Sequence, residues 1–312
     1  MKETEKILSI KGYRVFVMVY QPSEPPKAVI QINHGLAEHC HRYKAFAAFL
    51  CSKGYAVFLH DHPGHGQTIR ESDDIKGHLP WKNGWDVMLD VIHSINKSIR
   101  KAYPGLPVFL LGHSMGSLLS RYYNATYPMY FKGMILSGTG NPPVSSLSPA
   151  LALVRTIKIF KSNTHKSTWF NKFFYSNFNK TIKNPKTDFD WLSSDNEQVE
   201  KYINDPLCGF ELTLGFFKNL LQGSLQMLKT EKNLRFRKNF ATLIISGKQD
   251  PVGDYSKGPE KLQQKYLNQG FFNTQLQLIE GRHELLNEKA EIKEQTFEII
   301  GQWIDDKLKG KF

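Results

Sequence analysis

The stretch PVFLLGHSMG, residues 107–116, decides the fold, because it joins an apolar strand to a helix through a serine between two glycines. The helical segment begins at Ser117. Gly112 and Gly116 carry no Cβ atom, so the chain can turn sharply there and leave the Ser114 hydroxyl at the top of a sheet. The pattern therefore predicts that Ser114 is a nucleophile at the carboxyl end of a strand.

Other strands are predicted on both sides of this stretch. Continuous apolar runs, which indicate strands buried on both faces, occupy residues 28–33, 56–60, 133–137, 241–247 and 274–280. Two runs that alternate more, 7–10 and 13–20, predict an antiparallel edge. Helical patterns occupy residues 42–53, 83–103 and 288–307, with Asn83 as a predicted N-cap. The sequence therefore predicts an α/β fold with a mostly parallel sheet of eight strands flanked by helices.

The alternation of predicted strands and helices stops at Asn141 and resumes at Ala241. We call the intervening segment, residues 141–240, the cap, and predict that residues 1–140 and 241–312 form the core. The cap holds fifteen Lys or Arg against eight Asp or Glu. Within it, residues 155–187 contain eight Lys or Arg, no Asp or Glu, and several aromatic side chains.

A serine hydroxyl needs a base, and the base needs a carboxylate that holds its tautomer. Asp250 follows the predicted strand 241–247, and His283 follows the strand 274–280. The carboxyl ends of parallel strands share one edge of a sheet, so these side chains are expected beside Ser114. Asp254 remains a competing candidate for the carboxylate.

The tetrahedral intermediate of acyl transfer needs two backbone N–H donors. In a strand-to-helix turn of this kind, one donor is the residue after the nucleophile, here Met115. The second is expected in the loop after an earlier strand, where Gly35 allows a turn that directs the Leu36 N–H at the site. A tight turn without a catalytic role stays open for this loop.

Five motifs carry a resemblance to a known family. They are residues 34–43, 61–66, 112–116, 250–253 and 282–284, and together they resemble the monoacylglycerol lipase and lysophospholipase branch of the α/β-hydrolases. The resemblance implies the α/β-hydrolase fold with a helical cap over the nucleophile. It also implies Ser114, Asp250 and His283 as the catalytic triad, and the Leu36 and Met115 amides as the oxyanion hole.

Two positions depart from that branch. Ala37 stands where glycine is common, and Cys40-His41 replaces small residues. We expect such changes at the rim of the site rather than in the triad.

The implied activity is hydrolysis of a carboxylic ester through an acyl-enzyme, without a cofactor, on monoacylglycerols or lysophospholipids. An aminopeptidase of the prolyl aminopeptidase kind and a broad carboxylesterase for small esters are the alternatives. An aminopeptidase would need an acidic pocket in the cap, which the basic segment 155–187 speaks against. A non-catalytic receptor on this fold is a further alternative. Such a protein would lack a member of the triad, whereas this sequence has all three.

Histidines are frequent in two motifs, and six of them could in principle bind zinc: His34, His39, His41, His60, His62 and His65. The run from His60 to His65 approximates the spacing of a metal site, yet Gly64 stands where that site needs aspartate. We therefore expect no metal.

The net charge of +12 would suit an anionic partner, but no nucleic-acid recognition motif accompanies it. The basic, aromatic cap predicts peripheral contact with an anionic membrane, although its aromatic side chains could instead pack inward. Three widely spaced cysteines argue against a disulfide framework and favour a cytoplasmic location.

Overall fold

The computed structural model describes residues 1–79, 82–234 and 240–310, and its centre is one sheet of eight strands. The strands are β1 (Lys2–Ile10), β2 (Tyr13–Gln21), β3 (Ala28–Asn33), β4 (Tyr55–His60), β5 (Val108–His113), β6 (Gly133–Ser137), β7 (Ala241–Gly247) and β8 (Thr274–Ile279). Their spatial order is β1-β2-β4-β3-β5-β6-β7-β8, with β2 antiparallel to β1 and β4 and all other pairs parallel. The predicted fold class is confirmed.

Helices cover both faces of the central strands, so these strands are apolar along their whole length. This is why continuous apolar runs in the sequence predicted them. Every residue of β3, β4, β5, β6 and β7 is buried. Successive residues of a strand point to opposite faces, so Val29 belongs to one apolar cluster and Ile30 to the other. The edge strand β1 begins five residues before the predicted run, because its first residues are charged and mostly exposed.

Within the described residues, six α-helices lie in the predicted core. They are α1 (Lys44–Ser52), α2 (Gly66–Ser72), α3 (Gly84–Ala102), α4 (Met115–Thr126), α9 (Lys257–Asn268) and α10 (Ala290–Leu308). Asn83 occupies the predicted N-cap position of α3, but its side chain makes no capping bond. Instead, the Gly84 N–H donates to Asn219 Oδ1 at 2.8 Å, so an amide from the cap takes the place of a local cap.

Between β6 and β7, the described part of the cap contains four α-helices, α5 (Val144–Phe160), α6 (Thr168–Tyr175), α7 (Asn196–Asn204) and α8 (Leu214–Thr230). Residues 235–239 of the predicted cap, three of its basic residues among them, lie outside the described residues. Helix α8 is the most deeply buried of the four, with Phe216 and Phe217 fully enclosed. That core and cap are separate domains stays a prediction.

One buried ion pair ties the helix after Ser114 to both ends of the cap. Arg121 on α4 donates to both carboxylate oxygens of Glu231, at 2.8 and 2.7 Å, just after α8. Its remaining donors reach the Gly140 carbonyl at 2.7 Å and Asn141 Oδ1 at 3.3 Å, where the cap begins. Both side chains of the pair are fully buried, and the Arg121 charge holds the pKa of Glu231 at about 2 despite that burial.

Removing the carboxylate of this pair tests how much the fold depends on it. We expect Glu231→Ala to lower the free energy of unfolding by about 3–5 kcal/mol, because it leaves a buried guanidinium without its partner. Urea unfolding at neutral pH measures the loss. The control is Glu197→Ala, which breaks the exposed pair with Lys201 and should change stability little. Equal effects of the two substitutions would contradict the expectation.

Candidate active site

Ser114 lies at the turn between β5 and α4, in a conformation that few residues other than glycine adopt. Its backbone has φ 51° and ψ −119°, and its N–H donates to the Ser137 carbonyl at 3.0 Å. The turn is so tight that a Cβ on Gly116 would lie 2.2 Å from the Asn33 carbonyl oxygen. A strained nucleophile position of this kind costs about 1–3 kcal/mol, which the surrounding contacts offset.

His283 and Asp250 meet at the same edge of the sheet. His283 Nδ1 and Asp250 Oδ1 are 2.9 Å apart, and both side chains are buried. The other candidate, Asp254, is exposed four residues further along the chain. Of the two carboxylates proposed from the sequence, Asp250 is therefore the one that contacts His283.

The pair favours the protonated form of the histidine. Burial disfavours the imidazolium, but the negative charges of Asp250, Glu284 and Glu38 outweigh it, so the pKa of His283 is raised above 6.5. Since Nδ1 is bonded to Asp250, the ring's other nitrogen, Nε2, is left for proton transfer. Ser114 and His283 line the same cavity, but no hydrogen bond joins their side chains in the described part of the chain.

The two predicted amide donors are adjacent to Ser114. Leu36 and Met115 line the cavity with it, and among the described residues no hydrogen bond engages either backbone N–H. A Cβ on Gly35 would lie only 3.2 Å from the Ser114 Cβ, which shows how close this loop comes to the nucleophile. Ala37 adopts φ 53°, a left-handed conformation that favours glycine and costs other residues about 1–2 kcal/mol.

The departures Ala37 and Cys40-His41 were expected to alter the rim of the site rather than the triad, and none of the three is among the described residues that line the cavity. Ala37 and Cys40 are buried behind it. The Cys40 N–H instead donates to Asp61 Oδ1 at 2.8 Å, so this residue serves the loop behind the site.

Sequence reasoning missed a charged cluster that joins two of the site's loops. Arg42 donates to both carboxylate oxygens of Glu284 at 2.6 Å and to Glu38 at 3.1 Å. Glu38 in turn accepts from the Gly35 N–H at 2.5 Å and from the Tyr43 hydroxyl at 2.8 Å. The resembled motifs contain all these residues, but nothing in the sequence signals that Arg42 pairs with a residue 242 positions away.

The cap also contacts the histidine loop directly. The backbone N–H groups of His283 and Glu284 donate to the Trp191 and Leu192 carbonyls at 3.3 and 2.7 Å. The Trp191 ring lies 5.0 Å from the His283 ring, centroid to centroid. A segment of the cap thus forms one wall of the site.

The cavity over Ser114 has a volume of about 430 Å³ and a largely apolar lining. The cap supplies most of its aromatic side chains, namely Phe170, Phe173, Phe174, Tyr175, Phe178, Trp191 and Tyr202. No Lys or Arg is among the described lining residues, and the acidic ones, Glu38 and Glu284, are those paired with Arg42.

The histidines of the run 60–65 are packed against the loop that carries Leu36. The His62 N–H donates to His34 Nε2 at 2.9 Å, and His60 Nε2 lies 3.1 Å from His62 Nδ1. Burial lowers the pKa of His60 to about 3 and that of His65 to about 4, so these rings are neutral near pH 7.

Metal-ligand atoms come together elsewhere. Among the described residues, one group of His, Cys, Asp or Glu donor atoms lies within 4.8 Å: His39, Asp205 and Cys208. His39 Nε2 is already 2.8 Å from Asp205 Oδ2. Of the six histidines weighed as zinc ligands, only His39 belongs to this group.

Known proteins resemble this chain over most of its length. The family model described as serine aminopeptidase, S33, matches residues 24–290. Monoglyceride lipase of Mus musculus is 29% identical over 308 residues, which cover 97% of this chain and 90% of that protein. A carboxyl esterase from Bacillus coagulans, solved in complex with glycerol, has a TM-score of 0.89 at 27% identity and covers 99% of both chains. A soluble variant of monoglyceride lipase from Saccharomyces cerevisiae shares the fold, with a TM-score of 0.76 at 21% identity over 98% of this chain and 96% of that one.

The contact between His283 and Asp250 predicts how His283 titrates. In wild-type protein we expect a pKa above 6.5, and in Asp250→Asn a lower pKa, because the charge that opposes the effect of burial is gone. Accordingly, the pair stabilises the fold fully below pH 6.5, and the contribution is lost as the pH rises through the raised pKa. NMR titration of the histidine side chains measures the shift. Asp254→Asn is the matched control and should leave the pKa of His283 unchanged; the reverse pattern would identify Asp254 as the partner.

Proposed function

This chain belongs to the serine aminopeptidase S33 family of α/β-hydrolases and is a carboxylic ester hydrolase, and from this premise we propose that it cleaves monoacylglycerols or lysophospholipids. The proposed catalytic triad is Ser114, Asp250 and His283, with the Leu36 and Met115 amides as the oxyanion hole. No cofactor is needed for this chemistry.

One observation carries the proposal: an apolar cavity of about 430 Å³ opens directly onto Ser114 and His283. Aromatic and aliphatic walls of this extent favour a long hydrocarbon chain, because each buried methylene contributes about 0.8 kcal/mol. A small ester would leave most of the cavity unfilled. The size and apolar lining of the cavity therefore support a lipid ester as the substrate, rather than the small esters of a broad carboxylesterase.

The proposed reaction has two halves. Ser114 Oγ attacks the ester carbonyl carbon while its proton passes to His283 Nε2, and Asp250 stabilises the imidazolium. The carbonyl oxygen becomes an oxyanion, which the Leu36 and Met115 N–H groups bind. The ester C–O bond then breaks, His283 protonates the departing alcohol, and an acyl group remains on Ser114. Water, activated by His283, releases the fatty acid by the same path.

The charges around the cavity favour an uncharged head group. Since none of the described lining residues is Lys or Arg, a phosphate group near Ser114 would lose its hydration without gaining a cation. A glycerol head group carries no such charge. Both the mouse relative named monoglyceride lipase and the esterase solved with glycerol support this choice. Monoacylglycerols are thus favoured over lysophospholipids.

The aminopeptidase alternative fits the cavity less well. Such an enzyme must bind the ammonium group of its substrate, which requires a free carboxylate. Glu38 and Glu284 line the cavity, but Arg42 pairs with both of them. Among the described lining residues the cap contributes no Asp or Glu.

We also propose that the cap docks on anionic membranes. Some aromatic side chains of the cap, such as Phe170, are buried. Others are exposed: Phe160 is 80% exposed and Trp169 is 60% exposed. Phe173 is 54% exposed and also lines the cavity, so the exposed apolar surface reaches the cavity mouth. None of the helices in the described part of the chain has the length and apolar character that crossing a bilayer requires.

Positive charge accompanies this surface. The exposed residues Lys161 and Lys172 lie next to Phe160 and Phe173 in the chain. Burial lowers the pKa of Lys158, and the nearby charges of Lys218 and Arg155 lower it further, so several cations are close together. Cations near an anionic surface contribute about 1 kcal/mol each, while aromatic rings enter the interface.

A cytoplasmic location is proposed on the basis of cysteine usage. Cys40, Cys51 and Cys208 are free and buried. Buried thiols without disulfides suit a reducing compartment.

The proposed nucleophile is tested by substitution. We expect wild-type protein to react with a fluorophosphonate probe and to hydrolyse monooleoylglycerol at least about tenfold more efficiently than the matching lysophosphatidylglycerol. Ser114→Ala should lose the labelling and at least about 10⁴-fold in kcat. Ser146→Ala, which alters an exposed serine of the cavity lining, is the control and should keep kcat within about threefold. Faster cleavage of aminoacyl amides than of esters would identify the alternative activity.

Membrane docking is tested by sedimentation with phosphatidylglycerol vesicles. Binding at low salt should weaken at high salt, because the contribution of the cations is screened. Phe160→Ser should weaken binding further, whereas Phe272→Ser, which alters a 79% exposed ring outside the cap, should not. No binding at low salt, or equal effects of the two substitutions, would exclude docking through the cap.

A further inference from the structure

Two buried side chains hold the backbone of Gly35, one on each side of its Cα atom: His34 contacts the Gly35 carbonyl, and Glu38, which also pairs with Arg42, binds the Gly35 N–H. The Gly35 carbonyl oxygen lies 2.8 Å from His34 Nδ1. The Gly35 N–H donates to Glu38 Oε1 at 2.5 Å. His34, Gly35 and Glu38 are all buried, so water does not compete for these bonds.

The hydrogen bonds of His34 determine which of its nitrogens carries the proton. The His62 N–H donates to His34 Nε2 at 2.9 Å, so Nε2 is an acceptor and carries no proton. In a neutral imidazole the proton is then on Nδ1, which donates to the Gly35 carbonyl. Burial and the neighbouring rings of His62 and His65 lower the pKa of His34, which keeps the ring neutral.

Fixing the Gly35 carbonyl also fixes the Leu36 N–H. In a trans peptide the C=O and N–H bonds point in opposite directions. With its carbonyl bound by His34, the unit must direct the Leu36 N–H away from that ring. Ser114 is adjacent to this loop, and Leu36 lines the cavity beside it. A flipped peptide would present a carbonyl oxygen to the developing oxyanion instead of a donor.

We propose that His34 is a positioning residue that orients the Leu36 amide for the oxyanion. It touches neither substrate nor reacting atoms and acts through the Gly35–Leu36 peptide. The inference rests on the proposed esterase chemistry and adds a residue to it. Since an oxyanion donor acts mainly in the transition state, its loss should lower kcat by about 10²–10³-fold and change KM little.

Two substitutions separate this role from a general effect on folding. In His34→Asn the amide nitrogen can occupy the position of Nδ1 and donate to Gly35. In His34→Gln the amide oxygen can occupy the position of Nε2 and accept from the His62 N–H, but no donor reaches Gly35. We expect His34→Asn to keep kcat within about tenfold of wild type on p-nitrophenyl butyrate, and His34→Gln to lose about 10²–10³-fold.

The activated ester separates failure of this inference from failure of the proposed function. A wild type that does not cleave it would overturn both. A wild type that cleaves it, with equal losses of kcat in the two variants or with losses confined to KM, would overturn the role of His34 alone. Thermal unfolding and circular dichroism report how much of each variant is folded.

A measurement on the wild type keeps the test independent of the variants. In ¹⁵N spectra of histidine-labelled protein, we expect the neutral His34 ring to carry its proton on Nδ1. A proton on Nε2 would leave the Gly35 carbonyl without its donor and would overturn the proposal.

Discussion

The close contact between the turn at Gly116 and the end of β3 is the constraint on which the site depends. A Cβ at Gly116 would lie 2.2 Å from the Asn33 carbonyl oxygen and 2.5 Å from that of His34. Because hydrogen alone fits there, the nucleophile turn and the loop after β3 lie against each other. Ser114 and the two proposed amide donors, Leu36 and Met115, are thereby adjacent before any substrate binds, which is the preorganisation that acyl transfer requires.

The parallel sheet supplies the other half of the site. The residues after β7 and β8 reach the same edge as Ser114, which places Asp250 against His283. Arg42 then joins the β3 loop to the histidine loop through Glu38 and Glu284. A buried ion pair often adds little net stability compared with packed apolar side chains, so we infer that these charges serve mainly to fix the arrangement of the two loops. The cap extends this arrangement, since its backbone accepts hydrogen bonds from His283 and Glu284.

Local chemistry made the core and the central residues of the site predictable. Five parallel strands are buried on both faces, so continuous hydrophobicity identified them, and Asp250 was placed by its position after a strand. Features that depend on distant partners were not predictable. The pairing of Arg42 with Glu284 and the capping of Gly84 by Asn219 join residues 242 and 135 positions apart. The packing of the cap helices decides which aromatic side chains line the cavity and which are exposed. The composition of residues 155–187 does not show how those helices pack.

In the proposed mechanism, the ester is cleaved through an acyl group on Ser114. Rapid acid quenching of the enzyme with monooleoylglycerol, followed by peptide mass spectrometry, tests it most directly. We expect an oleoyl group on the peptide that contains Ser114, present during turnover and absent once the substrate is consumed. Turnover of the ester with no acyl group on that peptide, or with one on another residue, would contradict it.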